Sequence, residues 1–250
     1  MTPSRTSNAG KTSQAWFATT RWSVVLTAQD KQSSQCRLAM DGLCRIYWYP
    51  LYAFVRRQGC TADEAADFTQ GFFARCLERD WLDSVDQSKG RFRNFLLASI
   101  KHYVSNERAR QRAKKRGGGK RILSLNMETA ETRYKIEPET TTTAEQLFER
   151  QWALSLLDTV LKDLQQQYTD EGKAATFDFL KPCLIGQTTS LPYCELAQEL
   201  KCTEGAVRVM VHRLKKRYRE LLRQHIADTV ATPEDVESEM QHLRAILSGS

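Results

Sequence analysis

No apolar run in this 250-residue chain approaches the roughly 20 residues that a bilayer-spanning helix needs. The first 15 residues are polar and lack the apolar stretch of a secretory leader, so the expected compartment is the cytoplasm. There the seven cysteines (Cys36, Cys44, Cys60, Cys76, Cys183, Cys194 and Cys202) are expected to stay reduced. None belongs to a C-x-x-C pair, the usual half of a zinc site. Cys194, Cys202 and His212 fit no common zinc spacing. No metal is therefore expected, and the thiols read as small buried apolar groups. The four histidines, His102, His212, His225 and His242, are scattered, with no nucleophile or acid–base set beside them. Neither a cofactor nor a small-molecule substrate is expected. "NAGKTS" resembles the end of a phosphate-binding loop, but Arg5 stands where that loop needs glycine. Strand-like alternation and long repeats are missing too, which leaves an all-α fold class.

What the chain has in excess is positive charge, with 37 Lys and Arg against 30 Asp and Glu and a net charge of +7. The isoelectric point is about 9.1. Such a balance favours polyanions, either nucleic acid or an anionic lipid surface. The charge is densest in "NERARQRAKKRGGGKR", Asn106 to Arg121. A membrane role needs a second anchor that the sequence does not supply.

The pattern divides into two helical domains. Residues 1–15 read as a disordered arm, and order is expected from "AWFATTRWSVVL" onward. The first domain covers residues 16–116. Leu38, Leu43, Ile46, Tyr47, Leu51 and Phe54 recur at helical spacing, with Pro50 expected to kink or split the run. Thr61 and Glu64 form a capping box for a helix whose apolar face is Phe68, Phe72, Phe73, Cys76 and Leu77. Asp63, Asp67 and Gln70 fall on another face of that helix. A polar loop, "DSVDQSKGR", leads to a long helix from Phe92 to Arg116 whose second half turns basic. Residues 117–143 read as a linker with a short ordered piece at Ile122–Leu125.

The second domain, residues 144–225, opens on a stripe of Leu147, Phe148, Trp152, Leu156, Leu157, Val160, Leu161 and Leu164. Its end reads as a helix-turn-helix. Tyr193–Leu200 is a short helix, Lys201–Cys202 a tight turn, and Thr203 caps a second helix with Glu204 at its positive end. Val207, Met210, Val211, Leu214, Tyr218 and Leu221 share one side of that helix. Gly205, Arg208, Val209, His212, Arg213 and Lys216 share the other. Arg208 and Arg213 suit guanine edges, Val209 a thymine methyl, and Lys216 phosphates. A helical hairpin with a solvated basic face is the competing reading. Lys201 departs from the glycine often found at such a turn. Residues 226–250 form a C-terminal helical extension, with Thr232 as N-cap and Pro233 first in the helix; it is expected to pack within the second domain, with binding of a regulator as the competing reading.

Five stretches together resemble one family: "TTRWSVVL", "YWYPLYAFVRRQG", "FTQGFFARCLERDWL", "GRFRNFLLASIKHYVSNERARQRAKKRGGG" and "CTEGAVRVMVHRLKKRYRELLR". They are similar to bacterial RNA polymerase sigma factors of the extracytoplasmic-function type, in the sigma-70 family, especially the subgroup common in planctomycetes. The resemblance spans about residues 16–247. It implies a region 2 domain that docks on the polymerase clamp helices and melts the −10 element. It also implies a region 4 domain that reads the −35 element and touches the polymerase flap. Asp63, Asp67 and Gln70 match the clamp-binding helix. Asp86, Ser88, Lys89 and Arg91 lie in the stretch that captures an unstacked −10 base. Arg93, Lys101, His102, Asn106, Arg108 and Arg112 match the helix facing the non-template strand. Thr203, Glu204, Gly205, Arg208, Val209, His212, Arg213 and Lys216 match the −35 recognition helix. The implied partners are core polymerase and promoter DNA, with regulation by an anti-sigma factor or a kinase left open and no membrane. Two other functions compete: a stand-alone helix-turn-helix transcription regulator, and an RNA-processing or nuclease enzyme. The enzyme would need a carboxylate cluster or acid–base pair near the basic helix, which the spacing does not supply.

Overall fold

Apolar residues at helical spacing become helices throughout the computed structural model, which describes residues 34–76, 91–113, 127–136, 142–185, 192–230 and 232–248. The described residues contain nine helices and no strand: α1 (Ser34–Arg57), α2 (Ala62–Cys76), α3 (Phe92–Ala113), α4 (Met127–Ile136), α5 (Ala144–Asp170), α6 (Ala174–Ile185), α7 (Tyr193–Glu199), α8 (Glu204–Ala227) and α9 (Pro233–Ser248). The chain is thus all-α as expected. No described helix is long and apolar enough to cross a membrane.

The chain divides by contact density into two compact units. One is Met1–Ser155 with Ile226–Ser250, and the other is Leu156–His225. This division differs from the one the sequence suggests. The stretch expected to be a linker contains α4, which packs with the first unit. Its Glu131 accepts hydrogen bonds from Tyr52 Oη at 2.6 Å and from Arg56 Nη2 at 2.8 Å. The C-terminal helix α9 also belongs to the first unit, not to the helix-turn-helix unit. The ordered piece expected at Ile122–Leu125 lies outside the described residues.

In the first unit α1 packs on α2, and α3 and α4 each touch both. Ile46, Tyr47, Leu51, Tyr52 and Phe54 of α1 are buried, as are Phe68 and Phe72 of α2 and Leu96 and Ile100 of α3. Each fully buried side chain of this size contributes about 1.5–3 kcal/mol of transfer free energy. α1 passes through Pro50 without splitting, and Leu38, expected on its apolar stripe, is exposed. The Thr61 capping box forms: the Thr61 N–H donates to Glu64 Oε2 at 2.8 Å, and the Glu64 N–H donates to Thr61 Oγ1 at 3.2 Å. Gly71 lets α2 approach α3, because a Cβ there would collide with Tyr103 Oη. A second capping box, Thr143 with Gln146, starts α5.

The second unit has its own core. Leu164 and Tyr168 of α5, Phe177 and Leu180 of α6, Leu196 and Ala197 of α7, and Val207, Val211 and Leu214 of α8 form one buried cluster.

Candidate nucleic-acid interfaces

The helix-turn-helix is built from local signals. α7 buries only Leu196 and Ala197, and small Ala197 suits a close helix crossing. Lys201 then adopts φ 50°, the left-handed conformation that ends helices, despite being a β-carbon residue. The turn is closed by the Cys202 N–H donating to the Ala197 carbonyl at 2.9 Å. Thr203 caps α8, its Oγ1 accepting from the Ala206 N–H at 3.2 Å. Val207, Val211 and Leu214 point into the core, while Met210, Tyr218 and Leu221 lie half-buried at its margin.

The opposite side of α8 is open. Thr203, Glu204, Gly205, Arg208, Val209, His212, Arg213 and Lys216 are all exposed, so every residue expected at a −35 site reaches the surface. Val209, at 49% exposure, is a large apolar side chain on a face that otherwise carries mostly polar and charged ones. A Cβ at Gly205 would meet nothing closer than Thr203 Oγ1 at 3.9 Å, so the fold itself does not demand glycine there. The Arg208 guanidinium lies 6.0 Å from the Tyr193 ring centre. Among the described residues Lys216 has one distant carboxylate neighbour, Glu220 at 3.8 Å.

The basic helix α3 of the first unit is graded along its length. At its start, Arg93 is only 3% exposed and Glu239 of α9 is 2% exposed, and the two form a buried ion pair. The Arg93 Nε also donates to Glu149 at 2.9 Å, and its guanidinium lies 4.6 Å from the Trp152 ring centre. Burial lowers the Arg93 pKa from its usual value, and the Glu149 charge opposes that. Arg93 was expected to face a DNA strand, and here that expectation is corrected. Leaving its charge unpaired in this interior would be costly, so the two carboxylates hold it inside. Arg91 is half-buried, donating to Ser238 Oγ at 2.7 Å, with its Nε 3.1 Å from Glu239 Oε2. Asp86, Ser88 and Lys89 lie outside the described residues.

Farther along α3 the charge turns outward. Lys101 pairs with Glu145 at 2.7 Å but stays 44% exposed. His102, Asn106 and Arg112 are exposed. Arg108 is half-buried and donates to the Gln58 carbonyl at 3.0 Å. Lys101, Arg108 and Arg112 share a cavity of about 420 Å³ with Phe54, Gln58 and Val104. Phe95 stacks on Phe92, with ring centres 6.3 Å apart. On α2, Asp63 and Asp67 are exposed and Gln70 is half-buried.

Sequence reasoning overlooked Lys173 and Arg217. Glu171 accepts from Lys173 Nζ at 2.8 Å and pairs with Arg217, and these two donors pull its carboxyl down to about 2. Arg217 directly follows Lys216 in sequence and was readable from it, whereas Lys173 lies far upstream, between α5 and α6, with no local cue. No group of His, Cys, Asp and Glu suited to a metal occurs among the described residues. Cys60 and Cys76 are buried as expected of the thiols, whereas Cys194 is exposed. No protein-family model matches this chain, and neither does any curated protein or solved structure.

Proposed function

We propose that this chain is a promoter-specificity subunit that recruits core RNA polymerase and uses binding energy, without catalysis of its own, to open promoter DNA. The observation that carries the reading is the outward face of α8. It offers Arg208, Val209, His212, Arg213 and Lys216 together, on a helix whose other side is core. Such a helix suits a major groove, with its first turns at base edges and its later cations along phosphates. A cytoplasmic location follows from this reading.

A stand-alone duplex-binding regulator would share that face. The first unit favours the polymerase subunit, because it adds a second outward basic surface (Lys101, His102, Asn106, Arg108 and Arg112) and a separate acidic one. In this reading α3 lies along the non-template strand. The energy of its contacts offsets the few kcal/mol needed to unstack a base. Asp63, Asp67 and Gln70 supply the edge that meets the polymerase clamp.

The test is run-off transcription with core polymerase and this protein. Wild type is expected to give promoter-dependent transcript, and Asp67→Arg to lose polymerase association while keeping duplex binding. No association of the wild-type chain with core polymerase would overturn the proposal. Sequence-specific duplex binding under the same conditions would then leave the stand-alone regulator.

A further inference from the structure

A second cavity, of about 510 Å³, opens in the helix-turn-helix unit and is bordered by Lys173, Thr176, Arg213, Lys216, Arg217 and Glu220. The α8 residues among these follow at i, i+3, i+4 and i+7, so they form one flank of the helix, continuous with the outward face through Arg213 and Lys216. The floor is apolar, from Leu180, Met210 and Tyr168. Arg217 is fixed over the Tyr168 ring, 5.1 Å from its centre. Lys173 and Arg217 converge on a single carboxylate, Glu171. Two donors from different parts of the chain are thus aimed at one oxyanion position. Arg213 has no ion-pair partner among the described residues, and Lys216 has only Glu220 at 3.8 Å. The four cations exceed the two carboxylates, Glu171 and Glu220, at this edge.

We infer that this cavity is a phosphate anchor: a backbone phosphodiester of duplex DNA sits against Lys173, Arg213, Lys216 and Arg217 when the outward face of α8 enters the groove. The inference rests on the duplex-binding part of the function proposed above and extends it to residues outside the recognition face. Contacts of this kind set register on the duplex and carry no sequence information. Glu171 acts as the internal counterion that holds the donors ready, and the phosphate competes with it for them.

The experiment uses the full chain and measures duplex affinity against salt, on a selected target and on random DNA, for wild type, Lys173→Ala and Glu171→Gln. Each phosphate contact contributes a slope of about −0.9 in log affinity against log salt. Lys173→Ala is therefore expected to flatten the slope by about one contact on both duplexes. Across a fourfold rise in salt its affinity should fall about threefold less than that of wild type. Glu171→Gln is expected to tighten binding to both duplexes. A parallel arm titrates inorganic phosphate at constant ionic strength and follows thermal unfolding, with no saturable stabilisation expected. Unchanged slopes in both variants, with wild type still bound to DNA, would overturn the anchor and leave the function proposal standing. Saturable stabilisation by phosphate, lost in Lys173→Ala while duplex slopes stay the same, would also overturn it in favour of a small-anion pocket. A wild-type chain that bound no duplex would remove both.

Discussion

α3 and α8 are both long, amphipathic and rich in arginine and lysine, yet they dispose of their positive charge differently. On α8 the cations at Arg208, Arg213 and Lys216 lie on the exposed side, and among the described residues no buried acid pairs with them. On α3 the first cation is swallowed: Arg93 lies between Glu149 and Glu239, with Trp152 beneath it. The next, Lys101, is shared with Glu145, and only the second half of the helix turns its charge outward. Positive residues in a sequence are thus not all equivalent positive surface. The acids that fold beside them decide how much of the charge a polyanion can meet.

Two substitutions test this contrast directly and two more probe the helices around it, beginning with the largest effect. Arg93→Ala leaves Glu149 and Glu239 without their shared partner and is expected to destabilise the protein by about 3–5 kcal/mol. Urea denaturation measures this, and a loss below about 1 kcal/mol would mean that the interior pair matters little. Arg208→Ala should do the reverse, leaving stability nearly unchanged while weakening binding to a target duplex by about 1–3 kcal/mol. Titrations on target and random DNA separate the cases, since equal losses on both would contradict a base-reading role. Thr203→Ala removes the cap of α8 and should cost about 1 kcal/mol in a thermal or urea melt.

The smallest expected effect concerns the tie between α1 and α4. The hydrogen bond from Arg56 holds the Glu131 carboxyl below its usual value of 4.5. The unfolded chain therefore takes up this proton more readily than the folded one. The contribution to stability is complete above about pH 4.5 and is lost as pH falls through the lower folded value. Glu131→Gln should lower stability at neutral pH by roughly 1 kcal/mol and flatten the acid limb of the stability profile. An acid limb of unchanged steepness would assign the acid sensitivity to other carboxylates.

The residues that the sequence made legible are those whose reasons are local. The Thr61–Glu64 box and the Thr203 cap can be read within four residues. The two sides of α8 follow from its periodicity alone, as does the stripe from Leu147 to Leu164, most of which is buried. Arg93 could not be placed this way, because its partners lie 56 and 146 residues away and nothing near it in sequence marks it as interior. α4 was hidden for a related reason. "METAETRYKI" has no apolar stripe, and its anchor, Glu131, finds Arg56 at a separation of 75 residues. The Thr143–Gln146 cap was readable in principle, but the threonine run around it reads as linker composition. The place of α9 turned on charges rather than on its apolar edge. Val236, Met240 and Leu243 would suit many surfaces, whereas Glu239 suits one that holds a buried arginine.

Trp152 gives this arrangement an optical consequence. Its indole is 1% exposed, with a guanidinium over one face and the His242 ring of α9 at 6.5 Å, centre to centre. An indole so enclosed emits toward the blue, and it shifts to the red and changes in intensity once water or a different neighbour reaches it. Docking of the C-terminal helix therefore comes with its own fluorophore. The emission difference between the wild-type chain and a Trp152→Phe variant would follow the seating of α9 in real time, with no label attached.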